Sequence, residues 1–228
     1  MLALCIWISL ILPYVWGNTE KTIFLGPSPV DLDSKQYYAS DLSRLASLNP
    51  DNFTIRTHLK AEHPGSDIRP RMTSWLVLHN LTEGQRYEVR VCWAATQPAA
   101  FRLETYEIEA IMRAPELTSE LSEYASMPQS NMEIPFQTFQ PAIEESMLLL
   151  RIIAVADFYT TNHTLMKNAP SVTVDVILDP FILNILPQSL LPTVIYTIAV
   201  AIVSWFVGKW ISVWVRQLAA EPTKQKYQ

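Results

Sequence analysis

The chain has 228 residues, 49% of them hydrophobic, and a formal net charge of −5. That length holds one ordinary domain plus targeting and membrane segments, not two full domains. The acidic body excludes a nucleic-acid binder or a protein that adsorbs on anionic head groups, whereas the basic residues Lys209, Arg216, Lys224 and Lys226 gather at the far end against the single acid Glu221.

Residues 1–17, MLALCIWISLILPYVWG, form an apolar run that closes on Gly17 with Val15 two positions before it. This is the pattern of a secretory signal peptide cleaved after Gly17; the lack of an early Lys or Arg leaves a retained N-terminal anchor as the alternative. If the leader and its Cys5 are removed, Cys92 is the single remaining cysteine, so the domain must be held by its core and not by an internal disulfide. Cys92 reads as a half-buried thiol, with a bridge to a partner as the other reading.

From residue 18 to residue 180 a period of two dominates. Thr22–Leu25 reads as a first strand stopped by Gly26-Pro27. Asp41–Leu48 is predicted to be a short helix. Phe53, Ile55, Thr57 and Leu59 alternate with Thr54, Arg56, His58 and Lys60, which describes a half-buried strand. The clearest strand is Arg86–Trp93, with Tyr87, Val89, Val91 and Trp93 on one face and Arg86, Glu88 and Arg90 on a face that reads as solvated. Pro115–Ser126 is predicted to be a helix, residues 127–141 an irregular connection, Leu148–Val155 a central strand apolar on both faces, and the run around Val172, Val174 and Val176 a further strand. Leu81-Thr82-Glu83-Gly84-Gln85-Arg86-Tyr87 looks like the corner of an immunoglobulin-like or fibronectin type III sandwich, where a tyrosine hydroxyl bonds back to upstream backbone. Trp75–Leu78, Arg86–Ala94 and Phe101–Tyr106 are expected to be neighbouring strands. The expected fold is therefore mainly β, a lumenal β-sandwich of this kind with one C-terminal transmembrane helix.

Residues 181–191 read as a juxtamembrane linker, 192–215 as a transmembrane helix and 216–228 as a cytosolic tail. The uncharged stretch before Lys209 meets the roughly 20 residues needed to cross hydrocarbon. Trp205, Trp210 and Trp214 lie toward its end, and the basic residues that follow place the tail in the cytosol. The sequons at Asn52, Asn80 and Asn162 all precede the helix and are expected to carry lumenal glycans. Lys224 and Lys226 in the ending Lys-Gln-Lys-Tyr-Gln resemble a dilysine signal for retrieval to the endoplasmic reticulum.

Patterns that carry chemistry are weak. Asp31-Leu32-Asp33 is a D-x-D triplet without the α/β layout of a nucleotide-sugar transferase, and it reads as surface loop. His58 and His63 bracket Glu62 with one residue too many for H-x-x-E-H, on a strand pattern where helical ligand spacing is lost. The five glycines are scattered, so no phosphate-cradling loop is expected. Neither catalytic residues nor a metal or cofactor site is expected.

Two segments carry a family likeness. Thr19-Glu20-Lys21-Thr22-Ile23-Phe24-Leu25-Gly26-Pro27 and Leu81-Thr82-Glu83-Gly84-Gln85-Arg86-Tyr87-Glu88-Val89-Arg90-Val91-Cys92-Trp93, with the single C-terminal helix, resemble the fungal non-catalytic subunit of GPI mannosyltransferase II. The resemblance implies a type I protein of the endoplasmic reticulum membrane, N-terminus lumenal. It would support a separate, multi-spanning mannosyltransferase that adds the second mannose to the glycosylphosphatidylinositol precursor. No cofactor, no nucleic acid and no small-molecule substrate of its own is implied. The alternative is a cargo receptor cycling between endoplasmic reticulum and Golgi, weakened because Pro170, Pro180, Pro187 and Pro192 forbid the long coiled coil such receptors carry. If the resemblance holds, Phe181, Leu183 and Leu186 of the apolar juxtamembrane stretch and the small pair Ser204 and Gly208 are the expected interface with the catalytic subunit.

Overall fold

The computed structural model describes residues 17–31, 41–63, 73–127 and 144–219. Alternation of apolar and polar residues produces two facing sheets. The first has the order β1 (Gly17–Leu25), β6 (Arg86–Ala94), β10 (Ser171–Ile182), β4 (Thr54–Lys60), all antiparallel. The second has the order β3 (Ala46–Leu48), β5 (Thr73–Leu78), β9 (Leu148–Ala156), β7 (Ala99–Tyr106), antiparallel except for the β3–β5 pair. A two-stranded ladder joins β2 (Val30–Asp31) to β8 (Glu144–Glu145).

One core lies between the sheets. Phe24, Ile55, Tyr87, Val89, Val91, Val174, Val176 and Leu178 from the first sheet meet Leu76, Leu78, Leu150, Ile152 and Phe101 from the second. A second core lies on the outer face of the second sheet, where Trp75, Val77 and Leu149 pack against Leu42, Leu45 and the helices α1 (Ile108–Arg113) and α2 (Pro115–Ser126). The molecule is thus a sandwich with a helical third layer, and this explains β9. A strand covered on both faces needs apolar residues on both, and seven of its nine residues are buried. Its one charged residue, Arg151, reaches Glu120 on α2 (2.7 Å) and Glu104 on β7 (2.9 Å), tying helix to sheet. Burial alone would raise the Glu104 carboxyl, but hydrogen bonds from Tyr106 and Arg151 hold it below its ordinary value.

Two expectations need correction. Asp41–Leu48 is not one helix: after a helical turn at Asp41–Leu42 the chain extends, and Ala46–Leu48 pairs with β5. Alternate residues there serve different cores, Leu45 the outer and Ala46 and Leu48 the inner, so packing overrides helix propensity. Nor are β5, β6 and β7 neighbours. The corner between β5 and β6 carries the chain from one sheet to the other, and β9 inserts between β5 and β7.

That corner bonds as expected. The Tyr87 hydroxyl accepts from the Thr82 N–H at 2.9 Å and donates to Gln85 Oε1 at 3.0 Å. Gly26 makes it close: its N–H donates to the Gln85 carbonyl and its own carbonyl accepts from Gly84. A Cβ on Gly26 would stand 2.1 Å from the Thr82 oxygen, so only glycine fits. Tyr87 is 1% exposed. Tyr87→Phe should therefore cost about 1–3 kcal/mol by stranding the Thr82 donor and the Gln85 acceptor, read as a lower melting temperature of the full chain in detergent micelles; an unchanged midpoint would remove the corner from the stability account.

Candidate functional site

The outer face of the first sheet reads from sequence as solvated, and over part of its area this is wrong. Glu88 and Asp179 are directly opposite each other on β6 and β10, and they are only 3% and 4% exposed. Two like charges side by side and out of water are unfavourable unless neutralised and hydrogen-bonded. Lys21 donates to Glu88 at 2.9 Å. Arg90, in the adjacent row, stands 3.5 Å from Glu88 and 3.7 Å from Asp179.

The remaining partners come from the chain beyond β10. After Ile182 a tight turn leads into β11 (Leu186–Pro187), which pairs back on Phe181 and Ile182, and then into a 3₁₀ turn over Gln188–Leu190. Ser189 in that turn donates its N–H (3.1 Å) and its hydroxyl (2.5 Å) to Asp179. Helix α4, Leu191–Ala219, starts at the next step. It is long and apolar enough to cross a membrane, with mean hydropathy 2.1 over its most apolar 18 residues, none of them buried against the domain. The start of α4 is therefore fastened to the sheet by a buried carboxylate.

The hairpin is fastened a second time, to the tyrosine corner. Asn184 donates to the Gly84 carbonyl (3.0 Å) and accepts from the Arg86 N–H (2.8 Å), while Gln85 donates to the Phe181 carbonyl (3.3 Å). The turn places Leu183 and Asn184 at φ of 53° and 59°, normal for asparagine and strained for leucine.

The five expected interface residues differ in exposure. Phe181 is only 7% exposed, with the Arg86 guanidinium 5.8 Å from its ring centroid, so most of its surface is already packed within the domain. Leu186 is half-buried in β11, while Leu183 at the hairpin tip is 86% exposed. Ser204 and Gly208 are exposed on α4, as are Asn52, Asn80 and Asn162 on the domain. Lys224 and Lys226 lie outside the described residues, as does most of residues 1–17. His58 bonds Thr173 and His63 approaches the Leu165 carbonyl, so the two histidines serve separate contacts. Among the described residues no cluster of His, Cys, Asp or Glu is placed to hold a metal. Cys92 is half-buried beside Thr19.

A family model described as Pga1, GPI-mannosyltransferase II co-activator, matches residues 8–210. The chain belongs to this family. No curated protein and no solved structure matches it. A Pga1 co-activator is an accessory, non-catalytic subunit that works with a catalytic mannosyltransferase in the glycosylphosphatidylinositol machinery of the endoplasmic reticulum, and the cargo-receptor reading is set aside.

The carboxylate that holds the start of α4 is testable. Asp179→Ala leaves two Ser189 donors without their acceptor, a loss of about 1–3 kcal/mol, so amide exchange at Ser189–Leu191 should speed up roughly tenfold or more. Unchanged protection in that segment would mean the turn is held by other contacts.

Proposed function

We propose that this co-activator is a type I membrane protein, sandwich in the lumen and tail in the cytosol, that docks through α4 on a multi-spanning mannosyltransferase. A subunit without chemistry of its own contributes by binding, favouring the folded or competent state of its enzyme.

One observation carries the docking reading. Thr193, Thr197, Ala201, Ser204 and Gly208 follow one another at spacings of three and four along α4 and so lie on one side of it. Small side chains let helix backbones approach closely in lipid, where association depends on packing rather than on the hydrophobic effect. Every one of these positions is exposed in the chain itself. The orientation rests on the sequons before the helix and the basic residues after it.

Gly208 gives a clean test, because a Cβ there would meet nothing within 4 Å. Gly208→Leu should leave expression and melting unchanged yet abolish co-purification with the mannosyltransferase and lower GPI-anchored proteins at the cell surface. Undiminished co-purification would move the contact off this side of α4.

Orientation is tested at Asn162, in the loop between β9 and β10, at the opposite end of the sandwich from α4. Glycosidase treatment should increase gel mobility, and Asn162→Gln should remove one step of that shift. A native-host chain that carries no glycan at all would contradict the lumenal assignment.

A further inference from the structure

The exposed apolar residues of the first sheet are unevenly spread. Register places Ile23, Glu88 and Asp179 in one row across β1, β6 and β10, with Leu25 one step nearer the hairpin rim. At that rim Ile23, Leu25, Leu183 and Ile185 are 51%, 57%, 86% and 79% exposed. Toward the other rim the same face carries Thr19 and Cys92, the Arg56–Asp175 ion pair, and His58 with Thr173. Apolar surface therefore collects where the chain enters the membrane helix.

Length sets the height of that rim. From Leu191 to Gly208 α4 carries no charge, and at 1.5 Å per residue this is about 27 Å, close to the roughly 30 Å of a hydrocarbon core. With Lys209 at one boundary, the other falls at the Gln188–Leu190 turn, the turn that Asp179 holds to the sheet. No spacer separates domain from membrane.

The hairpin tip also turns no polar side chain outward for a protein to read. Both ends of the Asn184 amide turn inward onto Gly84 and Arg86, and the Ile185 N–H is taken by the Ile182 carbonyl. Leu183 and Ile185 remain, flanking that inward asparagine, with leucine held at a backbone conformation it disfavours. Strain at a solvent-facing leucine is unexplained by the fold and is accounted for if the side chain is buried elsewhere. Lipid asks only for apolar surface with its backbone satisfied.

We propose that Leu183 and Ile185 insert into the lumenal interface of the bilayer, with Ile23 and Leu25 beside them, so that the sandwich is seated on lipid and does not swing on a tether. This rests on α4 spanning the membrane with the sandwich in the lumen. The seat fixes the height and tilt at which the domain meets its catalytic partner.

The test uses the full chain in phosphatidylcholine nanodiscs, with Cys5→Ser and Cys92→Ser, and an environment-sensitive fluorophore on Ile185→Cys. Tyr159→Cys, 85% exposed in the far-rim loop, and Ile202→Cys, within α4, are the comparators. All three side chains are exposed in the chain, so no core packing is lost. The fluorophore at 185 should be blue-shifted and quenched by nitroxide near the lipid head group, that at 159 should be unaffected, and that at 202 should be quenched by nitroxide deep in the acyl chains. If 185 behaves like 159 while 202 is quenched, the seat is absent and the spanning helix stands. If 202 is not quenched either, the spanning reading itself fails. Shielding of 185 that needs added mannosyltransferase subunit would make the occupant protein and overturn the proposal.

Discussion

Two carboxylates, Glu88 and Asp179, face each other across neighbouring strands with almost no access to water. Such a pair is tolerable only when every lone pair is met by charge or hydrogen bond, because solvent cannot compensate. Lys21 and Arg90 supply charge, and Ser189 supplies two donors. The consequence is architectural. Ser189 is two residues before α4, so satisfying a buried acid in the sheet also positions the start of that helix. What would otherwise be a stretch of chain between the domain and the apolar helix is part of the folded structure.

The tyrosine corner extends the same constraint. The β5–β6 crossover is held by Tyr87, Gly26 and Gln85, and the far side of that crossover bonds Asn184 and Phe181 of the hairpin. The element that carries the chain from one sheet to the other is thus also a support for the hairpin that leads into α4. Behind it, Arg151 joins the helical layer to the second sheet. A path of packed and hydrogen-bonded groups therefore runs from the sandwich to the first turn of α4.

Much of the fold is legible in the sequence where a local rule acts alone. Arg86–Ala94 and Thr54–Lys60 show period two because each has one buried face, and the helix Pro115–Ser126 begins at a proline suited to a first turn. Even the Tyr87 corner can be read, since leucine, glycine and tyrosine stand at set spacings. Failures occur where a distant segment decides. Ala46–Leu48 becomes a strand because β5 offers an edge and both cores claim its side chains. Glu88 and Arg90 follow the alternation of a solvated face, and nothing within β6 reveals that residues a hundred positions later cover them. Phe181 belongs to an apolar run that reads as uniformly exposed, yet it is 7% exposed with Arg86 over its ring. The candidate site was thus visible as composition but not as contact. The small side of α4 is helical spacing and readable, whereas the carboxylate fastening depends on strand order.

A co-activator built this way should hold its sandwich at one angle to α4. The most direct measurement is a pulsed electron–electron distance between spin labels at Thr96, in the exposed turn after β6, and Ile202 on α4, in full chain reconstituted in nanodiscs without the catalytic subunit. A single narrow distance distribution is predicted, broadening when Asp179 is replaced by alanine. A broad distribution in the unaltered chain would mean that the anchor is a free tether, and would contradict the account.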